Sequence, residues 1–211
     1  MCSAFRMWYY SLRINEQEGE YTQMRVISGS AKGRGLKAVP GMSTRPTTDK
    51  VKEAIFSMIG PYFDGGLVLD LFAGTGGLGI EALSRGMEKA VFIDIEKKSV
   101  DTVQLNLQAT GLSEQAEVYR NDAARALKLL AKRELQFELV FLDPPYRLKL
   151  IADLIGSMED QGLLTSEATV VVEHDAKDVL EETLGSLQQK RRVAYGDTAV
   201  TIYHRMEESS L

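Results

Sequence analysis

The sequence predicts an α/β fold: a doubly wound, mainly parallel seven-stranded sheet with an N-terminal β-hairpin extension. Three observations predict it. Short, continuous apolar runs alternate with amphipathic segments, a glycine-rich turn follows the first run directly, and the last two runs lie only a few residues apart. Strands that are apolar throughout and each followed by a helix are covered on both faces, which suits parallel pairing. Two strands joined by a short turn pair antiparallel.

The elements follow in order. Residues 1–23 show no clear period and end in a polar stretch, so they read as a flexible extension. Residues 24–29 and 35–39 flank the turn Ser-Ala-Lys-Gly-Arg and predict a hairpin. Residues 24–46 thus form an arm, and 47–211 the main domain. From Thr47 a helix is expected, with Val51, Ala54, Ile55, Met58 and Ile59 on one stripe and Gly60-Pro61 as its stop. Strands are expected at 67–72, 90–94, 116–120, 137–142 and 169–173. Helices are expected at 77–84, 99–109, 123–132, 148–158 and near 179–187. Segments 190–195 and 199–204 then close the sheet as an antiparallel pair.

Composition bounds the function. The chain has 211 residues, 44% of them apolar and 26% charged, as in an ordinary soluble domain. Twenty-five Lys and Arg against thirty Asp and Glu leave a net charge of −5. That average hides an asymmetry. Segment 25–48 carries Arg25, Lys32, Arg34, Lys37 and Arg45 and no acidic residue. A basic arm on an acidic body can still meet a nucleic acid. No apolar run approaches a membrane span of about eighteen residues, and residues 1–14 make a poor signal peptide. Cys2 is the sole cysteine, and His174 and His204 are the only histidines. No internal disulfide, thiolate zinc site or histidine metal cluster is therefore expected. A cytoplasmic monomer without metal or membrane partner is the expectation.

The first strand runs Leu69-Asp70-Leu71-Phe72 into Ala73-Gly74-Thr75-Gly76-Gly77-Leu78-Gly79. Gly74, Gly76 and Gly79 satisfy G-x-G-x-x-G, and Asp94 ends the second strand, where an acid can hold both ribose hydroxyls. Alone, this fits any adenosine ligand. Asp70 decides between them. A carboxylate entering the loop repels the pyrophosphate of a dinucleotide and favours the ammonium and sulfonium of S-adenosylmethionine. Asn121-Asp122-Ala123 follows the third strand on the same edge of the sheet. It could reach the adenine amino group, cap the next helix, or do both.

The fourth strand leads straight into Asp143-Pro144-Pro145-Tyr146. Two prolines stiffen the loop and leave its carbonyls free as acceptors. An Asp oxygen beside them makes an acceptor pocket for an amino group on a planar ring, and Tyr146 offers a stacking face worth about 1–3 kcal/mol. Such an amine is a poor nucleophile because its lone pair is delocalised. Accepting its hydrogens concentrates density on nitrogen.

These two motifs resemble those of the class I amino-methyltransferases, which are Rossmann-like. The segment from Met24 to Arg34 and the run Thr44-Arg-Pro-Thr-Thr-Asp-Lys-Val-Lys-Glu-Ala-Ile-Phe narrow the resemblance to the bacterial 16S ribosomal RNA guanine-N2 methyltransferase family. It covers residues 24 to about 205. The resemblance implies S-adenosylmethionine as cofactor, held by Arg45, Thr47, Asp70, Phe72, Ala73, Gly74, Thr75, Gly76, Asp94, Ile95, Asn121, Asp122 and Ala123. It implies a target-base pocket at Asp143, Pro144, Pro145 and Tyr146. RNA contacts are expected from Arg25, Lys32, Arg34 and Lys37, and the partner is 16S ribosomal RNA or the assembling small subunit. Asp94 stands where relatives often carry Glu.

Two rival substrates share part of this logic. DNA adenine-N6 and cytosine-N4 methyltransferases use Asp-Pro-Pro-Tyr but usually carry a target-recognition insert, for which no segment here is long enough. Protein glutamine-N5 methyltransferases usually have Asn at the place of Asp143 and need no basic arm. Glu173-His174 is read as a strand-end polar group, Lys190-Arg191-Arg192 as a solvated strand start, and segment 195–198 as a hairpin turn.

Overall fold

Thr48 opens the first helix of the computed structural model, which describes residues 24–41, 48–144 and 148–206. Its backbone is extended, at φ −66 and ψ 156, and its hydroxyl accepts the Val51 N–H of α1 (Asp49–Ile59). This N-cap satisfies a donor that the first turn leaves without a partner. Lys52, Ile55 and Phe56 are the fully buried residues of the helix, and the Phe56 ring lies 5.9 Å from that of Phe141.

The chain then alternates: β1 (Leu67–Leu71), α2 (Gly77–Ser84), β2 (Lys89–Asp94), α3 (Lys97–Thr110), β3 (Ala116–Arg120), α4 (Ala123–Lys132), β4 (Phe137–Leu142), α5 (Leu148–Asp160) and β5 (Leu164–Asp175). It ends in β6 (Thr183–Leu184), β7 (Leu187–Tyr195) and β8 (Thr198–Arg205). The sheet order is β3-β2-β1-β4-β5-β8-β7-β6. The first five strands pair in parallel, with β3 at one edge, and the last three pairings are antiparallel.

Alternate residues of each strand serve opposite faces. Leu69, Leu71, Val140 and Leu142 join Leu127 of α4 and Ile155 of α5 in one core. Val68, Phe92, Leu139 and Phe141 join Ile55 and Phe56 of α1, Ile80 of α2 and Val103 of α3 in the other.

The sheet has eight strands rather than seven, and the helix expected near 179–187 does not form. Leu180, Leu184 and Leu187 repeat at helical spacing and are all buried, which is why the pattern misleads. Gly185 turns the chain at φ +59, and an added Cβ there would fall 1.7 Å from Glu159 Oε2. Glu159 of α5 accepts the Ser186 N–H at 2.7 Å and so fixes a tight β6–β7 turn in place of a helix.

The hairpin exists in reduced form, with a single bridge between Arg25 and Gly35. Val26, Ala31 and Leu36 are buried in the same core as α2 and α3, so the segment is docked on the body. The Glu81 carboxylate of α2 accepts the N–H groups of Ile27 and Ser28, at 2.7 and 2.9 Å. It also accepts from Arg85 Nε at 2.8 Å and faces Lys52 Nζ at 3.8 Å. Lys52 donates in turn to the Arg25 carbonyl. Burial pushes the Lys52 ammonium below its ordinary value, which Glu81 counteracts. The expected extension 1–23 and residues 42–46 of the arm lie outside the described residues.

Candidate active site at the switch point

β1 and β4 are neighbours at the centre of the sheet, with Leu71 in register with Leu142. The order reverses here: β2 and β3 lie to one side, β5 to the other. Loops that leave two such strands diverge and open a crevice at their carboxyl ends. Both sequence motifs leave the sheet at that crevice.

Asp70 is the penultimate residue of β1 and only 5% exposed. Its Oδ2 accepts the Gly79 N–H at 3.0 Å. Burial pushes its carboxyl up to about 7, with the Gly79 N–H opposing and the Asp94 charge adding to the rise. Gly79 has to be glycine. A Cβ there would fall 2.3 Å from the Phe92 ring and 3.0 Å from Asp70 Oδ2.

Phe72 takes a φ of +103, which costs a non-glycine residue about 1–3 kcal/mol. Its N–H and that of Ala73 both donate to the Ile93 carbonyl, at 3.0 and 2.9 Å, and hold the strained turn against β2. Strain of this kind gathers at functional loops. Gly76, left-handed at φ +74, is the N-cap of α2. Asp94 organises the same loop: Oδ2 accepts the Gly74 N–H at 2.9 Å and Oδ1 the Glu96 N–H at 2.8 Å.

Ile95, just past β2, is 59% exposed, a large apolar side chain left open beside Asp94. Asn121 is tied to the same place by its N–H, 3.0 Å from the Asp94 carbonyl. Asp122 caps α4, its Oδ1 accepting the Arg125 N–H at 3.2 Å, and Ala123 begins that helix half-buried. The structure thus brings Asp70, Phe72 to Gly76, Asp94, Ile95 and Asn121 to Ala123 to one edge of three adjacent strands.

Asp143 follows β4 directly, exposed at the crevice, with Pro144 buried behind it. Crowding by protein, then the Glu173 and Asp70 carboxylates, push its carboxyl up to about 8. Arg45, Thr47, Pro145 and Tyr146 lie outside the described residues.

Of the basic residues expected to meet RNA, Arg25, Lys32, Arg34 and Lys37 are all exposed. Two have partners within the chain. Arg25 Nε pairs with Asp49 at 3.0 Å, and Arg34 Nη1 donates to the Ala109 carbonyl at 3.0 Å. Further along, Arg192 donates to the Ala176 and Asp178 carbonyls. His174 is buried, with Nε2 2.8 Å from the Thr201 hydroxyl and Nδ1 2.9 Å from the Asp175 carbonyl oxygen. Among the described residues, no group of three or more His, Cys, Asp or Glu is placed to hold a metal ion, and no helix is long and apolar enough to cross a membrane.

Three residues escaped the sequence reading. Glu173 looked like a strand end, yet β5 lies beside β4 and brings it to Asp143. Its signal was available only once the strand order was known. Asn106 is a fully buried amide on the apolar face of α3. It could have been found as the polar residue interrupting the stripe Val103–Leu107. Glu81, inside an otherwise apolar α2, is the third.

Residues 24–204 match the protein family described as Conserved hypothetical protein 95. The chain is 56% identical over 182 residues to "Putative rRNA methyltransferase YlbH" of Bacillus subtilis, covering 86% of this chain and 99% of that protein. It is 34% identical over 183 residues to "Ribosomal RNA small subunit methyltransferase D" of Escherichia coli, covering 87% and 90%. The chain belongs to this methyltransferase family. A solved structure titled "Putative methyltransferase yhhF from Escherichia coli" superposes with a TM-score of 0.73 at 34% identity, over 88% of this chain and 99% of that one. The fold is therefore the Rossmann-like class I methyltransferase fold. The family match begins at Met24 and so takes in the docked hairpin with the sheet, while residues 1–23 lie outside it.

Proposed function

We propose that the protein transfers a methyl group from S-adenosylmethionine to the exocyclic N2 of a guanine in a loop of 16S ribosomal RNA, as free RNA or in the assembling small subunit. It acts as a cytoplasmic monomer. The observation that carries this reading is the pair Asp70 and Asp143, two carboxylates at the ends of neighbouring strands, each held well above its ordinary value.

The residues present fit the cofactor. Asp70 lies buried at the floor of the glycine loop, where a negative charge is costly without a cation. An ammonium beside a sulfonium answers that charge; a pyrophosphate would be repelled by it. Asp94 lines the loop, Ile95 offers an apolar platform, and Asn121 and Asp122 offer polar groups on the same edge, as an adenosine requires. When bound, S-adenosylmethionine supplies an electrophilic methyl group on a positively charged sulfur.

The chain's own residues do the rest. Asp143 accepts hydrogens of the acceptor amine and aims its lone pair. Pro144 and Pro145 stiffen the loop that presents Asp143, and Tyr146 stacks on the base. As the N–C bond forms and the S–C bond breaks, the amine nitrogen becomes positive and releases one proton, to Asp143 or to water. Positioning of this sort can supply about 7–11 kcal/mol of the barrier in favourable cases. The base must first be splayed out of its stack at a cost of a few kcal/mol.

The test is a product analysis. Small subunits from a strain lacking this gene are incubated with the protein and methyl-tritiated cofactor, and the ribosomal RNA is digested to nucleosides. Label in N2-methylguanosine is expected. Label in another nucleoside, or none while NAD binds tightly, would contradict the reading.

A further inference from the structure

β4 and β5 run parallel, with Phe141 opposite Val171 and Leu142 opposite Val172. The next residue on each strand path is a carboxylate, Asp143 on one and Glu173 on the other. Register partners in a parallel pair point to the same face, and alternate residues share a face. Glu173 therefore stands on the face that Val171 serves, beside the first residue of the Asp-Pro-Pro-Tyr loop. It is half-buried and close enough for its carboxylate to push the Asp143 carboxyl further above its ordinary value.

The acceptor pocket proposed above thus holds two adjacent carboxylates. Ionised carboxylates only accept hydrogen bonds. Guanine carries hydrogens on both N1 and N2, side by side on its pairing edge. Adenine and cytosine carry an amine next to a ring nitrogen that has a lone pair and no hydrogen. A second acceptor beside Asp143 would meet that lone pair with repulsion and a guanine N1–H with a hydrogen bond. Like charges this close also disfavour full ionisation of both, and two donors on the base relieve that cost.

We propose that Glu173 is the residue that selects guanine, its carboxylate accepting the base N1–H while Asp143 accepts from N2. This rests on the guanine-N2 reading of the site. Discrimination arises in the same way as in other sites built around a required donor: an analogue with a lone pair in that place meets the carboxylate with repulsion in place of a hydrogen bond.

The probe is 2-aminopurine, which keeps the N2 amine but has a lone pair in place of the N1–H. Product mapping first locates the methylated guanine. 16S ribosomal RNA carrying guanine or 2-aminopurine at that nucleotide, joined by splinted ligation, is then assembled into small subunits. Wild-type kcat/KM should favour guanine by about a hundredfold. In Glu173→Gln, whose amide can donate to the N1 lone pair, the preference should shrink tenfold or more. Glu173→Asp should retain it at a lower rate. Affinity for S-adenosylmethionine, measured by calorimetry, should stay near wild type in both variants and reports that they fold.

A guanine preference unchanged in Glu173→Gln would overturn this role while leaving guanine-N2 methylation in place. Wild-type label found on an atom other than guanine N2 would overturn both.

Discussion

The Asn106 side-chain amide donates to the Thr75 carbonyl at 2.9 Å and so ties α3 to the apex of the glycine loop. The same amide donates to the Lys37 carbonyl at 3.1 Å, and its oxygen accepts the Lys37 N–H at 2.7 Å. One buried side chain thus joins the N-terminal arm to the glycine loop. The arm and the glycine loop are parts of one hydrogen-bonded unit.

Asn106→Ala leaves three backbone groups without their partner. At about 1 kcal/mol or more for each buried hydrogen bond, stability should fall by roughly 2–4 kcal/mol. S-adenosylmethionine affinity should fall with it, because Thr75 is released. Urea titration and calorimetry measure the two. Wild-type affinity in the variant would show that the loop holds its shape without α3.

Asp70 makes stability depend on pH. Its folded value of about 7 lies above its ordinary value of 3.8, so the folded state binds more protons between the two. Stability therefore falls as pH rises through that window, and the penalty is complete above about 7. Asp94 adds to the effect and the Gly79 N–H opposes it, and the Asp143 carboxyl also feels the Asp70 charge. Asp70→Asn keeps an acceptor for Gly79 and removes the charge. Without ligand at pH 8 it should be more stable than wild type by the order of a few kcal/mol, with no gain at pH 4. It should bind S-adenosylmethionine more weakly. Equal stability at pH 8 in urea titrations would mean that Asp70 is well solvated.

Gly79→Ala should lower stability by about 1–3 kcal/mol, since its Cβ would fall 2.3 Å from the buried Phe92 ring. The same methyl presses on Asp70 Oδ2, so cofactor affinity should drop too. A variant with wild-type Tm and affinity would show that Phe92 gives way freely.

Among the described residues of the arm, Lys32 and Lys37 make no ion pair, whereas Arg25 pairs with Asp49. Each single-stranded phosphate neutralised contributes a slope of about −0.7 in log K against log salt. Lys32→Gln with Lys37→Gln should weaken RNA binding and flatten that slope by about 1.4 units. Filter binding over a salt series reads both. An unchanged slope would place the RNA surface elsewhere.

The parallel core was legible because β1, β2, β4 and the centre of β5 are predominantly apolar, and because Gly60, Gly86 and Gly111 mark the breaks. The glycine loop and Asp143-Pro144 were legible by position, since each directly follows a strand, β1 and β4. The β6 turn was not. Leu180, Leu184 and Leu187 carry a helical period, and only Glu159, from a distant part of the chain, decides for the turn. Glu173 was illegible for a related reason. Its neighbour Asp143 is set by strand order, which local sequence does not encode.

The central assignment is that Asp143 faces the acceptor amine and Asp70 the cofactor. The most direct measurement is single-turnover transfer of tritiated methyl to small subunits by Asp143→Ala, alongside its affinity for S-adenosylmethionine. Loss of an acceptor group at the reacting amine costs on the order of 100-fold or more in rate. Transfer should fall at least that far while cofactor affinity stays within a few-fold of wild type. A variant that kept more than about a tenth of the wild-type rate, where a loss of that size is expected, would contradict the assignment.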